Sequence, residues 1–282
     1  MVDAIQTAPI DPPSRKLAFH EAPGPLPRQF FLYRPASAHP GAPLVISVHG
    51  IARNAATHAY RLMDEADRFG LTIAAPFFDK DLYGQYQQLQ DAKSGARSDL
   101  AVLEIADAAA RLTGANAEKL LMFGFSGGAQ FTQRFVMAHP HRVASAVLVA
   151  AGWYTFPDVT QPYPYGIDMS APELDIELDL RGMLEAPQHV MVGELDIERD
   201  SSLRSSKRVD QMQGLTRVER ARRWVAAMGE FYKHRNALGA PTLTMLPGVA
   251  HDFADVADRA DLPRLIFDKF AQDAALAPLA RV

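Results

Sequence analysis

A G-x-S-x-G motif centred on Ser126 is the part of the chain best suited to chemistry. The apolar run 120–123 precedes it, and a helical pattern begins at Ala129. At such a strand-to-helix turn the serine backbone is strained, and Gly124 and Gly128 avoid collisions with the neighbouring strand and helix. The motif therefore predicts a nucleophilic serine. Alone it also fits an ordinary glycine-rich turn, or a phosphate-binding one, although neither common phosphate-binding glycine motif occurs in the chain.

A nucleophilic serine needs a base and a carboxylate that orients the base. The apolar run 189–192 ends in Gly193, which frees the turn at the carboxyl end of a predicted strand. Asp196 stands just beyond that turn, and we interpret it as the orienting acid. Glu194 is the local rival and Glu198 a weaker one, and a solvated loop carboxylate is the alternative role for Asp196.

The candidate base is His251, on the loop that follows the strand-like run 242–246. The order serine, aspartate, histidine is the one that this arrangement of strand ends requires. The other histidines fall at helix ends, on predicted helices or strands, or in the proline-rich N-terminal part, where structural or solvated roles are favoured. No histidine pair has a familiar zinc-binding spacing, so no metal is expected.

Backbone amides that would hold an oxyanion are expected from two loops. One is the amide of Gly127, directly after the candidate nucleophile. The other belongs to the loop after the buried-strand pattern 44–48, where Ile51 is the best candidate. His49 lies in the same loop, and we expect its ring to brace the loop rather than to act as a base.

Four segments carry a family resemblance: VHGIARNA (48–55), GFSGG (124–128), GELD (193–196) and GVAHDF (248–253). They resemble the α/β-hydrolase superfamily and, within it, bacterial serine esterases near the polyhydroxybutyrate-depolymerase, feruloyl-esterase and dienelactone-hydrolase branches. The likeness runs from about residue 30 to residue 271. It implies a serine hydrolase without a cofactor, whose roles would be assigned to Ser126 (nucleophile), Asp196 (orienting acid), His251 (base), and Ile51 and Gly127 (amide donors).

Two departures separate the chain from individual branches of that superfamily. Dienelactone hydrolases use a cysteine nucleophile, and this chain contains no cysteine. Extracellular polymer depolymerases carry a secretion signal and a polymer-binding module, and neither is apparent in the sequence. No motif is specific to one substrate.

Composition agrees with one large α/β domain. The chain has 282 residues, of which 48% are hydrophobic and 22% charged, values typical of a soluble globular protein. A net charge of −4 gives no reason to expect nucleic acid or an anionic membrane as a partner. We assign residues 1–27 to a proline-rich extension and 28–282 to the domain. Because no signal peptide or membrane-spanning run is apparent, we expect a cytoplasmic protein.

Strands and helices are predicted to alternate, which favours a mostly parallel central sheet with helices on both faces. Gly70 and Gly114 are predicted to end the first two helices. The predicted strands are 28–33, 44–48, 71–75, 119–123, 143–150, 188–192 and 242–246, and the predicted helices are 56–69, 98–113, 127–139, 216–237 and one from about Asp255.

Two long segments interrupt this alternation near the predicted site. Segment 152–186 is rich in aromatic residues interleaved with proline, and Trp153 and Tyr163 are its candidate substrate contacts. Its alternative role is a packed cover over the edge of the sheet. Segment 197–215 is rich in arginine, aspartate and serine, and we favour a solvated loop over one that shapes the mouth of the site.

Three further side chains are weaker candidates for substrate contact. Tyr83 and Tyr86 follow a strand end, although an ordinary polar loop is the favoured interpretation for each. Arg53 is the charge nearest to the predicted oxyanion loop. It would bind a substrate carboxylate, or alternatively form a salt bridge to a neighbouring helix.

The sequence therefore predicts a serine hydrolase that cleaves a small-molecule carboxylic ester through an acyl-enzyme. The alternatives are a non-catalytic ligand-binding protein on the same fold, and an acyltransferase or thioesterase that uses the same three residues. Natural substrate and oligomeric state are left open.

Overall fold

The computed structural model describes residues 15–171 and 173–276. Within these residues, eight strands form one sheet, with seven α-helices around it. The strands are β1 (Ala18–Glu21), β2 (Gln29–Tyr33), β3 (Pro43–Val48), β4 (Ile73–Phe77), β5 (Asn116–Phe125), β6 (Val143–Val149), β7 (Gln188–Gly193) and β8 (Thr242–Leu246). The helices are α1 (Ala55–Phe69), α2 (Ser98–Thr113), α3 (Gly127–Ala138), α4 (Lys207–Gln213), α5 (Arg217–Lys233), α6 (Phe253–Arg259) and α7 (Leu262–Ala274).

The strand order is β1-β2-β4-β3-β5-β6-β7-β8. Strand β1 pairs with β2, and β2 pairs with β4, in antiparallel orientation. The remaining pairs, which join β4, β3, β5, β6, β7 and β8 in that order, are all parallel. The parallel strands therefore place their carboxyl ends at a single edge of the sheet. The loops that leave this edge after β3, β5, β7 and β8 carry the residues singled out in the sequence.

Successive side chains along a strand pack alternately into two hydrophobic cores, one on each face of the sheet. In β6, Ala146 and Leu148 join one core, whereas Val147 and Val149 join the other, because side chains alternate across a strand. Helices α2, α3 and α5 cover the first face, and α1, α6 and α7 cover the second. The predicted mostly parallel sheet with helices on both faces is confirmed.

Helices α1 and α2 end at glycine, as predicted. Gly70 and Gly114 adopt left-handed backbone conformations, with φ of 65° and 77°. The final predicted helix is instead two helices. Asp261 takes a left-handed conformation with φ of 50°, and a proline stands in the first turn of α7, so the chain turns between α6 and α7.

Several other elements differ from the prediction: β5 is longer than the predicted 119–123, and α5 ends at Lys233 rather than at 237. Strand β1 lies within the segment assigned to the N-terminal extension, and helix α4 lies in segment 197–215. Strand β4 begins two residues later than predicted. Residues 1–14 of the predicted extension lie outside the described residues. Within the described part of the chain, no helix has both the length and the apolar character needed to cross a membrane.

Candidate active site

Ser126 sits at a strained turn between β5 and α3. Its φ of 54° and ψ of −112° lie in a region that residues other than glycine rarely adopt. A Cβ added at Gly124 would lie 2.2 Å from the carbonyl oxygen of Gly128, and one added at Gly128 would lie 2.1 Å from that of Val48. The turn therefore requires glycine at both positions. The Ser126 amide donates to the Val149 carbonyl at 2.8 Å, which ties the turn to β6.

Hydrogen bonds connect Ser126, His251 and Asp196 in a row. His251 Nε2 lies 3.1 Å from Ser126 Oγ, and His251 Nδ1 lies 2.9 Å from Asp196 Oδ2. A carboxylate accepts at Nδ1, so that nitrogen carries the proton and Nε2 is free to accept from the serine hydroxyl. The His251 ring is stacked on Phe125 with centroids 5.1 Å apart, which fixes its plane.

The carboxylate that is hydrogen-bonded to His251 is that of Asp196, not that of Glu194 or Glu198. Asp196 is buried, whereas both glutamates are exposed. The amide of Leu195 donates to the Val249 carbonyl at 3.0 Å, which fastens the loop after β7 to the loop that carries His251. The two loops are thus held in register by backbone contacts.

Arg217 is a component of the site that the sequence analysis missed. Its Nη1 donates to Asp196 Oδ1 at 3.1 Å, and its Nη2 donates to Ser202 Oγ at 2.6 Å. Arg217 is the first residue of α5, the end of a helix that disfavours a cation. The carboxylate of Asp196 compensates for that placement. An arginine at the first turn of a helix was the one sequence signal, and it does not by itself identify a partner.

The backbone around Ile51 approaches Gly127, the residue that follows the serine. A Cβ added at Gly127 would lie 3.4 Å from the Ile51 nitrogen and 2.7 Å from Tyr86 Oη, so the loop after β3 approaches the start of α3 closely. Among the described residues, neither the Gly127 nor the Ile51 amide donates to a protein acceptor. The two amides that the sequence predicted as oxyanion donors thus lie on neighbouring segments and have no protein acceptor in this part of the structure.

His49 and Tyr86 brace the loop that carries Ile51. His49 Nδ1 donates to the Gly50 carbonyl at 2.7 Å, and its Nε2 accepts from the Phe78 amide at 3.1 Å. Burial lowers the pKa of His49 to about 4, so the ring is neutral and can make both bonds. The Tyr86 hydroxyl donates to the His49 carbonyl at 2.7 Å.

Several solved structures are similar to this chain over most of its length. A poly(aspartic acid) hydrolase-1 from Sphingomonas sp. KT-1 superimposes with a TM-score of 0.76 at 24% identity, over 89% of this chain and 98% of the other. A poly(3-hydroxybutyrate) depolymerase from Bordetella parapertussis gives 0.70 at 26% identity, over 88% of each chain. A putative dienelactone hydrolase from Klebsiella pneumoniae gives 0.55 at 18%, over 92% and 98%. The chain has the α/β-hydrolase fold. No protein-family model and no curated protein sequence matches it.

Similar solved structures with this α/β-hydrolase fold include several hydrolases and esterases. Within residues 15–171 and 173–276, no group of three or more histidine, cysteine, aspartate or glutamate side chains is placed to hold a metal ion.

The candidate substrate contacts near the β3 loop are engaged with the protein itself. Arg53 donates to the carbonyls of Phe78, Tyr83 and Gly84, and it forms no salt bridge with a carboxylate of the described residues. The Tyr83 side chain is buried, and its hydroxyl donates to the Pro27 carbonyl at 3.2 Å. Both side chains thus stabilise the loops around the site.

Segment 152–186 packs its aromatic side chains inward. Trp153 and Tyr163 are 3% and 8% exposed. The Tyr163 hydroxyl donates to the Gln88 carbonyl at 2.7 Å. Trp153 lies against the guanidinium of Arg134, 4.2 Å from ring centroid to Cζ. These contacts fit the packed cover that was the alternative role for this segment.

Proposed function

We propose that the protein is a serine hydrolase that cleaves a carboxylic ester through an acyl-enzyme, with Ser126 as nucleophile, His251 as base and Asp196 as orienting acid. The observation that carries the proposal is the continuous hydrogen-bonded row from Ser126 Oγ through His251 to Asp196, at 3.1 and 2.9 Å. The spacing is within the range for proton transfer from a nucleophile to its base. The hydrolase neighbours support the same reaction class.

In the first half of the reaction, His251 Nε2 takes the proton of Ser126 as the hydroxyl oxygen attacks the ester carbonyl. The negative charge that forms on the carbonyl oxygen is stabilised by the amides of Gly127 and Ile51. Asp196 stabilises the imidazolium and keeps its ring oriented. His251 then gives the proton to the departing alcohol, which leaves the acyl group on Ser126.

In the second half, His251 removes a proton from water, and the resulting hydroxide attacks the acyl-enzyme carbonyl. The same two amides stabilise the second oxyanion. Collapse of this intermediate breaks the bond to Ser126 Oγ, and His251 returns the proton to the serine. The products are a carboxylic acid and free enzyme.

The test combines fluorophosphonate labelling, read by intact mass, with hydrolysis of p-nitrophenyl acetate and butyrate. We expect stoichiometric labelling and turnover in the wild type, and loss of both in Ser126→Ala with an unchanged melting temperature. Ser37→Ala is the matched control, because Ser37 lies before β3 at the opposite edge of the sheet. Absence of labelling in folded wild-type protein would contradict the proposal and favour a ligand-binding protein. Ester consumption that requires an added alcohol would indicate an acyltransferase.

A further inference from the structure

Three arginines surround two aromatic rings at the carboxyl edge of the sheet. The centroid of the Trp153 ring lies 4.2 Å from Cζ of Arg134 and 5.2 Å from Cζ of Arg204. Tyr165 packs beside Trp153 with centroids 5.1 Å apart, and Arg208 lies 4.5 Å from the Tyr165 centroid. Arg204 Nη2 also donates to the Tyr165 hydroxyl at 2.6 Å. These five residues are called the arginine–aromatic cluster below.

The positive charge of this cluster has no carboxylate partner among the described residues. Neighbouring Arg199, Arg217 and Arg220 each pair with an aspartate. In contrast, Arg134 and Arg208 donate only to neutral acceptors, as Arg204 does to the tyrosine hydroxyl. The side chains of Arg204 and Arg208 are exposed. The cluster is therefore a local excess of positive charge that is partly open to solvent.

Arg134 makes this excess unusual, because it is completely buried. Its Nε and Nη1 donate to Thr155 Oγ1, at 2.8 Å, and to the carbonyls of Gln87 and Gln130, at 2.6 and 3.3 Å. Its Nη2 is buried without a partner among the described residues. Burial lowers the pKa of Arg134 to about 10, so the group stays charged at neutral pH. A buried charge without a counter-ion is costly, and a nearby anion reduces that cost.

The cluster lies on segments that leave the same edge of the sheet as the candidate site. Trp153 follows β6 by four residues, and the last residue of that strand, Val149, accepts the amide of Ser126 at 2.8 Å. Arg204 lies on the segment that leads from Asp196 to α4. A single nitrogen, Arg220 Nη1, donates to the carbonyls of both Gly152 and Arg204, at 2.6 and 3.0 Å, and so joins the segment after β6 to the segment that follows Asp196.

We propose that the arginine–aromatic cluster is a subsite for a carboxylate carried by the substrate. Arg204 and Arg208 would contact the carboxylate, and the buried Arg134, which packs on Trp153, would add its charge. Guanidinium groups match the geometry of carboxylates, and aromatic faces hold guanidinium planes in place. The inference rests on the proposed ester hydrolysis and names its substrate class, an ester that bears a carboxylate near the scissile bond.

The test compares esters that differ only in charge. Mono-p-nitrophenyl adipate and p-nitrophenyl hexanoate place the difference on the acyl side, and 4-acetoxybenzoate and phenyl acetate place it on the alcohol side. In at least one pair we expect the wild type to prefer the anionic ester. Arg204→Gln should lower kcat/KM for that ester roughly 10- to 100-fold, mainly through KM, as expected for loss of a hydrogen bond to a charged group. Neutral esters should change less than about twofold.

Arg111→Gln is the matched control, since Arg111 is exposed at the end of α2, before β5, and therefore lies at the opposite edge of the sheet. Added salt should weaken the preference for the anionic ester in the wild type and have little effect in Arg204→Gln. A wild type without preference in either pair, or an Arg204→Gln variant that loses both members of a pair equally, would overturn the subsite.

Calorimetry with adipate separates the subsite from the proposed function. Adipate binding by wild type that is lost in Arg204→Gln, without turnover of any ester, would keep the subsite and reject the hydrolase. Turnover of neutral esters without a preference for the anionic ones, and without adipate binding, would keep the hydrolase and reject the subsite.

Discussion

Arg217 donates to Asp196 across 3.1 Å, and 0% and 1% of their respective side chains are exposed to solvent. Oδ1 of the carboxylate therefore accepts from Arg217 while Oδ2 accepts from His251. One carboxylate oxygen serves the proposed base and the other is held by the first residue of α5. Arg217 also donates to Ser202, so the start of α5 holds the segment after β7 at two points.

Replacing Arg217 by Gln should therefore affect both turnover and stability. Removing one partner of a buried ion pair typically costs about 3–5 kcal/mol, because the other charge stays buried. We also expect kcat to fall with little change in KM, since Arg217 would act through the orientation of Asp196. Urea unfolding and steady-state kinetics with p-nitrophenyl butyrate measure the two effects.

Two companion variants decide what the loss of Arg217 means. Arg217→Lys should restore part of kcat because it keeps the charge, and Arg222→Gln should be neutral because Arg222 is exposed on the same helix. A drop in stability with an unchanged kcat in Arg217→Gln would mean that the pair is only structural.

The choice of acid is tested by Asp196→Asn against Glu194→Gln. Asparagine keeps the shape of Asp196 but presents a neutral amide to His251, which disturbs the tautomer that accepts from Ser126. Loss of about 10⁴ in kcat is typical of that change. Glu194 is exposed and two residues away, so its variant should retain nearly full activity. Steady-state kinetics on matched protein samples decide the assignment, and a larger loss in Glu194→Gln would reverse it.

The sequence predicted best what depends on the local backbone. The elbow around Ser126 needs glycine at two fixed positions, and both glycines can be recognised in the sequence. The parallel order of strands then brings Asp196 and His251 to the same edge. Both inferences depend on short-range geometry and on the alternation of elements.

The parts that the sequence did not predict depend on contacts between distant segments. Arg217 and Asp196 are paired because the fold brings the start of α5 into contact with the loop after β7. Strand β1 has four residues that are exposed or only partly buried, so it has no apolar alternation by which to recognise it. Segment 152–186 is held by side chains from distant helices: Arg134 of α3 donates to Thr155 Oγ1 and lies over the Trp153 ring, and Gln213 of α4 donates to the Tyr154 carbonyl.

Tyr86 gives a prediction for the loop that supplies the Ile51 amide. Tyr86→Phe removes the 2.7 Å hydrogen bond to the His49 carbonyl and leaves that buried oxygen without this donor. We expect a loss of about 1–3 kcal/mol in the free energy of unfolding. A looser oxyanion loop should lower kcat by roughly tenfold, less than the 10²- to 10³-fold loss typical when a donor is removed outright.

Tyr83→Phe is the matched control, because the Tyr83 hydroxyl donates at 3.2 Å to Pro27, outside the β3 loop. Its kcat should stay close to that of the wild type. Equal kcat values for the two phenylalanine variants would show that the bond from Tyr86 does not position the oxyanion loop.

His58 should make stability depend on pH. It is buried, stacked on Phe253 with centroids 3.7 Å apart, and its Nδ1 has no partner among the described residues. Burial, with a smaller contribution from His49, lowers the pKa of His58 from 6.5 to about 3. The unfolded chain therefore binds a proton below pH 6.5 that the folded protein does not bind until near pH 3. The stabilisation is complete above pH 6.5 and is lost as pH falls through that window.

His58→Leu removes this proton uptake while keeping an apolar side chain in the core. Relative to wild type, the variant should gain roughly 1 kcal/mol in the free energy of unfolding between pH 6 and pH 5, since each proton is worth about 1.4 kcal/mol per pH unit. His49, whose pKa is also lowered by burial, keeps its own contribution in both proteins, so it cancels in the difference. Urea unfolding at pH 7.5, 6 and 5 measures the gain. Parallel pH profiles for the two proteins would mean that folded His58 accepts a proton in that range, and that its surroundings are more polar than its contacts with Phe253 indicate.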